Sequence, residues 1–310
     1  MLAVVFPGQG SQYVGMGKAL YEKYASVREL FELAEEVCAL PIKELCFEGP
    51  AGELTRTENL QPALTAVNLA VWRVLEEAGV KPAFLAGHSL GEYSALCAAG
   101  CLSVEDTFRL VKRRGEVMAQ AAETAPGTMY AVIGLSRERL EEILSGISGQ
   151  VFLANHNSPE QIVISGEQSA TDEAAKKAKE SGAKVVKLKV SGAFHSPLMT
   201  RAAEEFREAL AEANFGLPRI PVVFNVSAKT EGDPEVIRKL MAEQILSPVR
   251  WVESVEFMYN NGVRIFIEAG PKRVLSGLIN KILSDPEVLI LQAEKPEEIE
   301  VVLSKVKEGG

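Results

Sequence analysis

Histidine is scarce in this 310-residue chain, with three in all, and there are only four cysteines. The cysteines, Cys38, Cys46, Cys97 and Cys101, are too few and too irregularly spaced for a disulfide framework, and Cys97 and Cys101 fall at helical i, i+4 spacing among alanines. They read as reduced, small apolar side chains. No histidine shares a ligand spacing with a cysteine pair, so no metal site is expected. Basic charge is short as well: 33 Lys and Arg against 42 Asp and Glu leave a net charge of -9, which argues against nonspecific binding to nucleic acid or to an anionic membrane. No apolar run is long enough to span a membrane, and the strand-like residues 2–6 follow neither a basic n-region nor a long apolar h-region, so a soluble, cytoplasmic protein is expected. The Gly-rich segment Phe6-Pro7-Gly8-Gln9-Gly10-Ser11-Gln12 lacks the third glycine of a dinucleotide loop, and no G-K-[ST] occurs anywhere, so phosphate cradling is not expected. What is abundant is apolar content, 47%, enough for one large core or for one core plus an inserted smaller unit.

The order of elements gives the class. Residues 1–124 alternate strand and helix: strand 2–6, a helical region over 16–38, helix 61–77, strand 83–86 and helix 92–99. Ser103 and Asp106 then read as a capping box opening a helix that runs to about Glu123, before Ala125-Pro126-Gly127 breaks it. Beyond the break the pattern is β-α-β-β-α-β: strand 128–135, helix 137–144, strands 151–154 and 161–165, helix 168–181 and strand 184–190. That is the ferredoxin-like arrangement, compact enough to be an insert. After Ser191-Gly192 the alternation resumes with helix 197–213, strand 221–224, helix 234–245, strand 263–267, helix 274–283, strand 288–291 and a charged closing helix over 296–310. The expected architecture is α/β, with a discontinuous large domain (1–124 and 192–310) around a ferredoxin-like insert (125–191). No internal repeat or low-complexity segment is visible.

Chemistry concentrates at Gly87-His88-Ser89-Leu90-Gly91, a G-x-S-x-G segment between a strand and a helix. A tight turn in that context brings backbones together, which asks for glycine at both ends and presents Ser89 as a nucleophile. A serine hydroxyl needs a base to take its proton. His88 is its neighbour in a turn where adjacent side chains diverge, and His156 sits at the end of a strand of the insert. His195 lies in the loop returning to the large domain, and loops on a rigid scaffold are where catalytic groups concentrate. Scarcity of alternatives favours His195. The loop after the first strand leaves the same end of a parallel sheet as the elbow, so its backbone N–H groups are candidates for one of the two donors an oxyanion hole needs.

Six segments in order, FPGQGSQ at 6–12, GHSLGE at 87–92, LVKRRGEVM at 110–118, NHNSPEQIVISG at 155–166, GAFHSPLM at 192–199 and QILSPVRW at 244–251, together resemble the malonyl-CoA:acyl carrier protein transacylase family over nearly the whole chain. The resemblance implies an α/β-hydrolase-like large domain with a ferredoxin-like insert. It implies that Ser89 is the acyl-accepting nucleophile, that His195 is general base and acid, and that the amides of Gln9 and Leu90 form the oxyanion hole. It singles out Arg114, within Lys112-Arg113-Arg114, to hold the malonyl carboxylate, a task suited to a planar guanidinium with parallel donors. It gives the backbone carbonyl of Gln244 the role of orienting the histidine, which fits the lack of a convincing triad acid: Asp106 reads as a helix cap and Asp172 as part of an exposed helix. Asn157 and Phe194 match positions lining the pocket, and the bulk of Phe194 suits malonyl better than methylmalonyl. Implied substrates are malonyl-CoA and phosphopantetheinylated acyl carrier protein, and no cofactor is expected. Charge and histidine spacing, as above, argue against a nucleic-acid or membrane partner and against a metal, and a monomer is the default expectation while the sequence leaves oligomeric state open.

Two rivals remain on the sequence. A serine hydrolase or thioesterase on the same scaffold has no use for Arg114, and a noncatalytic carrier-binding module has no need of Ser89 and His195 together. An acidic carrier protein calls for a basic docking surface, for which Lys184, Lys187 and Lys189, or Lys272, Arg273 and Arg250, are candidates.

Overall fold

The computed structural model describes every residue except Ala125, Ser191, Gly309 and Gly310. In chain order the elements are β1 (Leu2–Phe6), α1 (Lys18–Lys23), α2 (Ala25–Cys38), α3 (Ile42–Phe47), α4 (Ala51–Thr55), α5 (Thr57–Glu77), β2 (Phe84–Gly87), α6 (Gly91–Ala98) and α7 (Val104–Thr124). Then follow β3 (Gly127–Ile133), α8 (Arg137–Ser145), β4 (Val151–Ser158), β5 (Gln161–Glu167), α9 (Gln168–Glu180) and β6 (Lys184–Lys187). A 3-10 turn (Pro197–Met199) leads into α10 (Thr200–Glu212), β7 (Val222–Val223), α11 (Pro234–Glu243), β8 (Val249–Arg250), α12 (Trp251–Asn260), β9 (Ile265–Ala269), α13 (Val274–Ile282), β10 (Leu289–Ala293) and α14 (Pro296–Glu308).

Two five-stranded sheets organise these elements. The first, in the order β10-β9-β1-β2-β7, is parallel throughout. Helices cover both of its faces, which is why β1 has no polar alternation and its residues Ala3, Val4, Val5 and Phe6 are all fully buried. The second, β6-β3-β5-β4-β8, contains the β-α-β-β-α-β run, with antiparallel pairs among β3 to β6. Its fifth strand, Val249–Arg250, comes from the segment after the expected insert and pairs in parallel with Asn155 and His156 of β4. A two-residue strand leaves little pattern to read. The expected insert bounds, Ala125 and Ser191, lie outside the described residues.

Several boundaries differ from the sequence reading. The region 16–38 is two helices, because Tyr24 is extended (φ -113°, ψ 128°) and serves as the end of one and the start of the other. Helix α5 starts at Thr57, so Pro62 sits within it, although a proline is expected near a helix start. Its 21 residues are mostly buried, and packing of that apolar surface outweighs the lost backbone hydrogen bond. Only half of the expected capping box forms: Ser103 Oγ accepts from the Asp106 N–H at 2.9 Å, whereas the Asp106 carboxylate turns to Arg109 and to the Asn214 N–H. Helices α3, α4 and α12 lie where the sequence pattern indicates none.

Register in the parallel sheet fixes where the chemistry sits. Phe6 is level with Gly87, so the loops after β1 and β2 leave the same edge side by side. A Cβ on Gly91 would lie 2.1 Å from the carbonyl oxygen of Phe6, and one on Gly87 would lie 1.9 Å from the carbonyl carbon of Gly91. Only glycine fits either place. Gly91→Ala is therefore expected to cost about 3 kcal/mol through backbone displacement, while Gly52→Ala in α4, where an added Cβ meets nothing within 4 Å, should be neutral or stabilising by up to about 1 kcal/mol. Denaturant unfolding of the two variants beside the parent checks both.

Candidate active site

Strand β2 stops at Gly87, α6 begins at Gly91, and the turn between them holds Ser89 in the left-handed region at φ 51°. A non-glycine residue stays there only when its surroundings over-determine it. Asn225, just beyond β7, supplies that constraint: its Oδ1 accepts from the Ser89 N–H at 2.7 Å and its Nδ2 donates to the Gly87 carbonyl at 2.7 Å. One buried amide thus spans the elbow.

His195 also has a left-handed backbone, φ 56°. The preceding turn is pinned by Ser196, whose Oγ donates to the Ala193 carbonyl at 2.6 Å and accepts from the Leu198 N–H. The imidazole Nε2 lies 2.7 Å from Ser89 Oγ, and Nδ1 lies 3.0 Å from the carbonyl oxygens of both Gln244 and Ser247. Carbonyls only accept, so Nδ1 carries the proton and Nε2 is free to accept one from Ser89. Burial, then the neighbouring Arg114 charge, pull the His195 pKa down to about 3. The ring is accordingly a neutral base.

Arg114 projects inward from α7 and is 1% exposed. Its Nη1 donates to Gln61 Oε1 at 2.9 Å, and its Nη2 donates to Ser89 Oγ at 3.2 Å and to Gln244 Oε1 at 3.0 Å. Its two neighbours behave differently, since Lys112 and Arg113 pair with Glu116 on the surface. Gly115 lets α7 approach the start of α5, where a Cβ would stand 2.9 Å from the Thr57 carbonyl oxygen. Among the described residues no carboxylate contacts the guanidinium.

These groups share a cavity of about 220 Å³ whose lining includes Gln9, His88, Ser89, Leu90, Arg114, Asn157, Phe194 and His195. Met118, Met129, Val163, Leu188 and Val190 supply apolar wall, much of it from the second sheet. The N–H groups of Gln9 and Leu90 have no acceptor among the described residues, and both residues border Ser89. His88 turns away from the nucleophile, pairing with Asn157 Oδ1 at 2.7 Å and packing edge-on to Trp251. The Phe194 ring lies over Gly192, where a Cβ would approach it to 2.5 Å. Among the described residues no group of three or more His, Cys, Asp or Glu is placed to hold a metal ion, and no helix is long and apolar enough to cross a membrane.

Gln244 is present as anticipated, but its side chain does as much as its carbonyl. Gln61, Glu92, Asn225 and Ser247 escaped the sequence reading. The signal is faint: Gln61, Glu92 and Asn225 are polar residues whose need for a partner only burial shows, and Ser247 acts through its main-chain carbonyl, which no side-chain type announces. Of the candidate docking lysines, Lys184 and Lys187 do not share a face of the sheet, being three apart in β6. Lys187 lies over Tyr130 near Asp172. Arg250 pairs with Glu253, whereas Lys272 reaches the Gly10 carbonyl at 3.4 Å beside the site.

A polarised serine, a neutral histidine and two open amides define a protein that accepts acyl groups. The acyl transferase domain family matches residues 3–302, and the chain belongs to that family. It is 43% identical over 311 residues to the malonyl CoA-acyl carrier protein transacylase of Bacillus subtilis (strain 168), with 99% of this chain and 98% of that protein covered. The protein of the same name from Staphylococcus aureus (strain MW2) is 42% identical over 294 residues, covering 94% and 95%. Among solved structures it is similar to an acyl-carrier-protein-S-malonyltransferase from Bartonella henselae (TM-score 0.94, 44% identity, 99% of both chains). It is also similar to a malonyl-transacylase in complex with a type II PKS acyl-carrier protein (TM-score 0.94, 39% identity, 98% of this chain and 99% of that one). The resemblance carried by the six motifs agrees with these relatives.

A lowered imidazole pKa means His195 stays neutral well below its ordinary 6.5, so acylation of Ser89 by a small activated ester is expected to keep its rate from pH 7 down to about 5. Stopped-flow acylation across that range checks this, and an acid limb near 6.5 would contradict it. The same burial makes the unfolded chain the better proton binder at His195 between pH 6.5 and about 3, so this residue's contribution to stability is lost as pH falls through that window.

Proposed function

We propose that this chain transfers the malonyl group of malonyl-CoA to the phosphopantetheine thiol of acyl carrier protein through a malonyl-serine intermediate, supplying extender units for fatty acid synthesis. The observation that carries the reading is Arg114: a buried guanidinium 3.2 Å from the nucleophilic oxygen, with no carboxylate against it. An acyl group ending in a carboxylate satisfies that charge, and an ordinary fatty acyl chain leaves it stranded.

The steps follow from the site. Nε2 of His195 takes the Ser89 proton as Oγ attacks the thioester carbonyl, and the oxyanion forms against the N–H groups of Gln9 and Leu90. Such donors are worth about 10² to 10³ in rate each. The C–S bond breaks, CoA sulfur takes the proton from His195, and a malonyl ester remains on Ser89. The carrier's thiol then gives its proton to His195, attacks the ester and leaves as malonyl-carrier protein, with the serine proton restored from the imidazolium. Two neutral carbonyls, those of Gln244 and Ser247, stand behind the imidazole where hydrolases place a carboxylate. They stabilise the imidazolium less, which suits exchange between thioesters of similar energy. Asn157 and Phe194 border the acyl group, Asn157 through His88 and Phe194 by the bulk of its ring. Residues 1–124 and 192–310 are assigned to the large domain and 125–191 to the insert, whose apolar strands wall the pocket and restrict water. The reaction as written needs no cofactor beyond its thioester donor and thiol acceptor.

Intact mass measurement after mixing with malonyl-CoA tests the reading. A malonyl adduct that disappears in Ser89→Ala and passes to carrier protein is the expected result. Rapid release of free malonate points to a hydrolase, and no adduct points to a binding module. Arg114→Ala should lower the preference for malonyl-CoA over acetyl-CoA by at least about 10²-fold, because a site built to pair with a polar group discriminates strongly through it; competition between the two thioesters measures the ratio.

A further inference from the structure

Arg114 presents a problem that its three hydrogen bonds and the neutral Tyr93 ring, 5.6 Å from the guanidinium, do not solve. A buried cation needs a counter-charge. A carboxylate pressed directly on the guanidinium would occupy the place the malonyl carboxylate is to take. The nearest compensating anion stands one side chain further back, at Glu92.

Glu92 follows the second glycine of the elbow, in the first turn of α6, and is 1% exposed. Its Oε1 accepts from the Asn225 backbone N–H at 2.6 Å, and its Oε2 accepts from Nε2 of Gln244. Both oxygens face N–H donors, an arrangement suited to the anion. Burial lifts its pKa to about 7, while Gln244, Asn225 and the Arg114 charge pull the other way. Gln244 is fully committed: Nε2 also donates to the Ser89 carbonyl at 2.8 Å, Oε1 accepts from Arg114, and the main-chain carbonyl accepts from His195.

An amide has nearly the same shape either way round, so its neighbours decide how it points. A carboxylate accepts only, which turns Nε2 of Gln244 toward Glu92 and leaves Oε1 facing Arg114. Flipped, the amide would set oxygen against carboxylate and NH2 against guanidinium. We propose that Glu92 is a positioning residue that, through the side-chain amide of Gln244, balances and aims Arg114 while leaving the guanidinium open to a substrate carboxylate. Through Asn225 it also braces the acceptor of the Ser89 N–H. This inference rests on the malonyl-transfer reading above.

The test is Glu92→Gln beside Gln244→Met, with folding checked by thermal unfolding. In Glu92→Gln the new amide can still accept from Asn225, but it then offers NH2 to Nε2 of Gln244, so the relay loses both its anion and its acceptor while the Ser89 carbonyl and Arg114 oppose a compensating flip. Gln244→Met removes the relay and keeps Glu92 and the main-chain carbonyl at 244. In both variants the ratio of kcat/KM for malonyl-CoA to that for acetyl-CoA is expected to fall at least tenfold, chiefly through a higher KM for malonyl-CoA. Should Glu92→Gln not fold, Gln244→Met alone decides. A proportional loss with both thioesters, or an unchanged ratio, overturns the relay. Absence of a malonyl-serine adduct in the parent overturns the underlying function instead, so the two failures are distinguishable.

Discussion

The backbone contact between Phe6 and Gly91 is the constraint on which the rest depends. Because Gly91 has no Cβ, the first turn of α6 rests against the carbonyl end of β1, and the elbow folds tightly enough to give Ser89 a positive φ. The same contact brings the loop carrying Gln9 beside the elbow, so Gln9, Ser89 and Leu90 border a common cavity. Asn225 enters from the neighbouring strand to hold the turn. Each of these depends on parallel strands whose carboxyl ends are level.

Electrostatics in the cavity are set by burial. A guanidinium and an imidazole within a few ångströms, both removed from water, cannot both be charged cheaply, and His195 yields by remaining neutral. That outcome is what a general base requires. The substrate reading adds a second consequence: a carboxylate paired with Arg114 offsets the charge that depresses His195, so the base grows stronger as the acyl group seats. Gln244 sits between the two, touching the imidazole through its main chain and the guanidinium through its side chain. A single residue thereby links the imidazole to the guanidinium.

Much of the fold is legible in the chain because its signals are local. The apolar run at residues 2–6, the β-α-β-β-α-β order from β3 to β6 and the G-x-S-x-G turn each declare themselves within a few residues, and the structure shows them in that order, although the strand expected over 184–190 ends at Lys187. The misses have physical reasons. Val249–Arg250 is too short to show a period, yet it completes the second sheet by joining β4. Helix α12 begins with Trp251, a fully buried side chain whose packing against His88 outweighs weak local signals for a helix. Pro62 marks a boundary by its chemistry but sits inside α5, because burial of that helix compensates for the missing donor.

The sequence by itself singled out Ser89 and narrowed the choice of histidine to face it, since glycine spacing reports backbone geometry directly and three histidines leave few choices. Motif order determined the family. Motif alignment also singled out Arg114, and tertiary structure shows that it is the one that turns inward: three adjacent cations are equivalent in local pattern until α7 docks on α5 and Gly115 fixes their rotation. Tertiary structure alone revealed Glu92, Gln61 and Asn225, whose importance comes from being buried. A polar side chain in a sequence carries no mark of whether water or protein satisfies it, and that difference is the cost of an unpaired group in a dry interior.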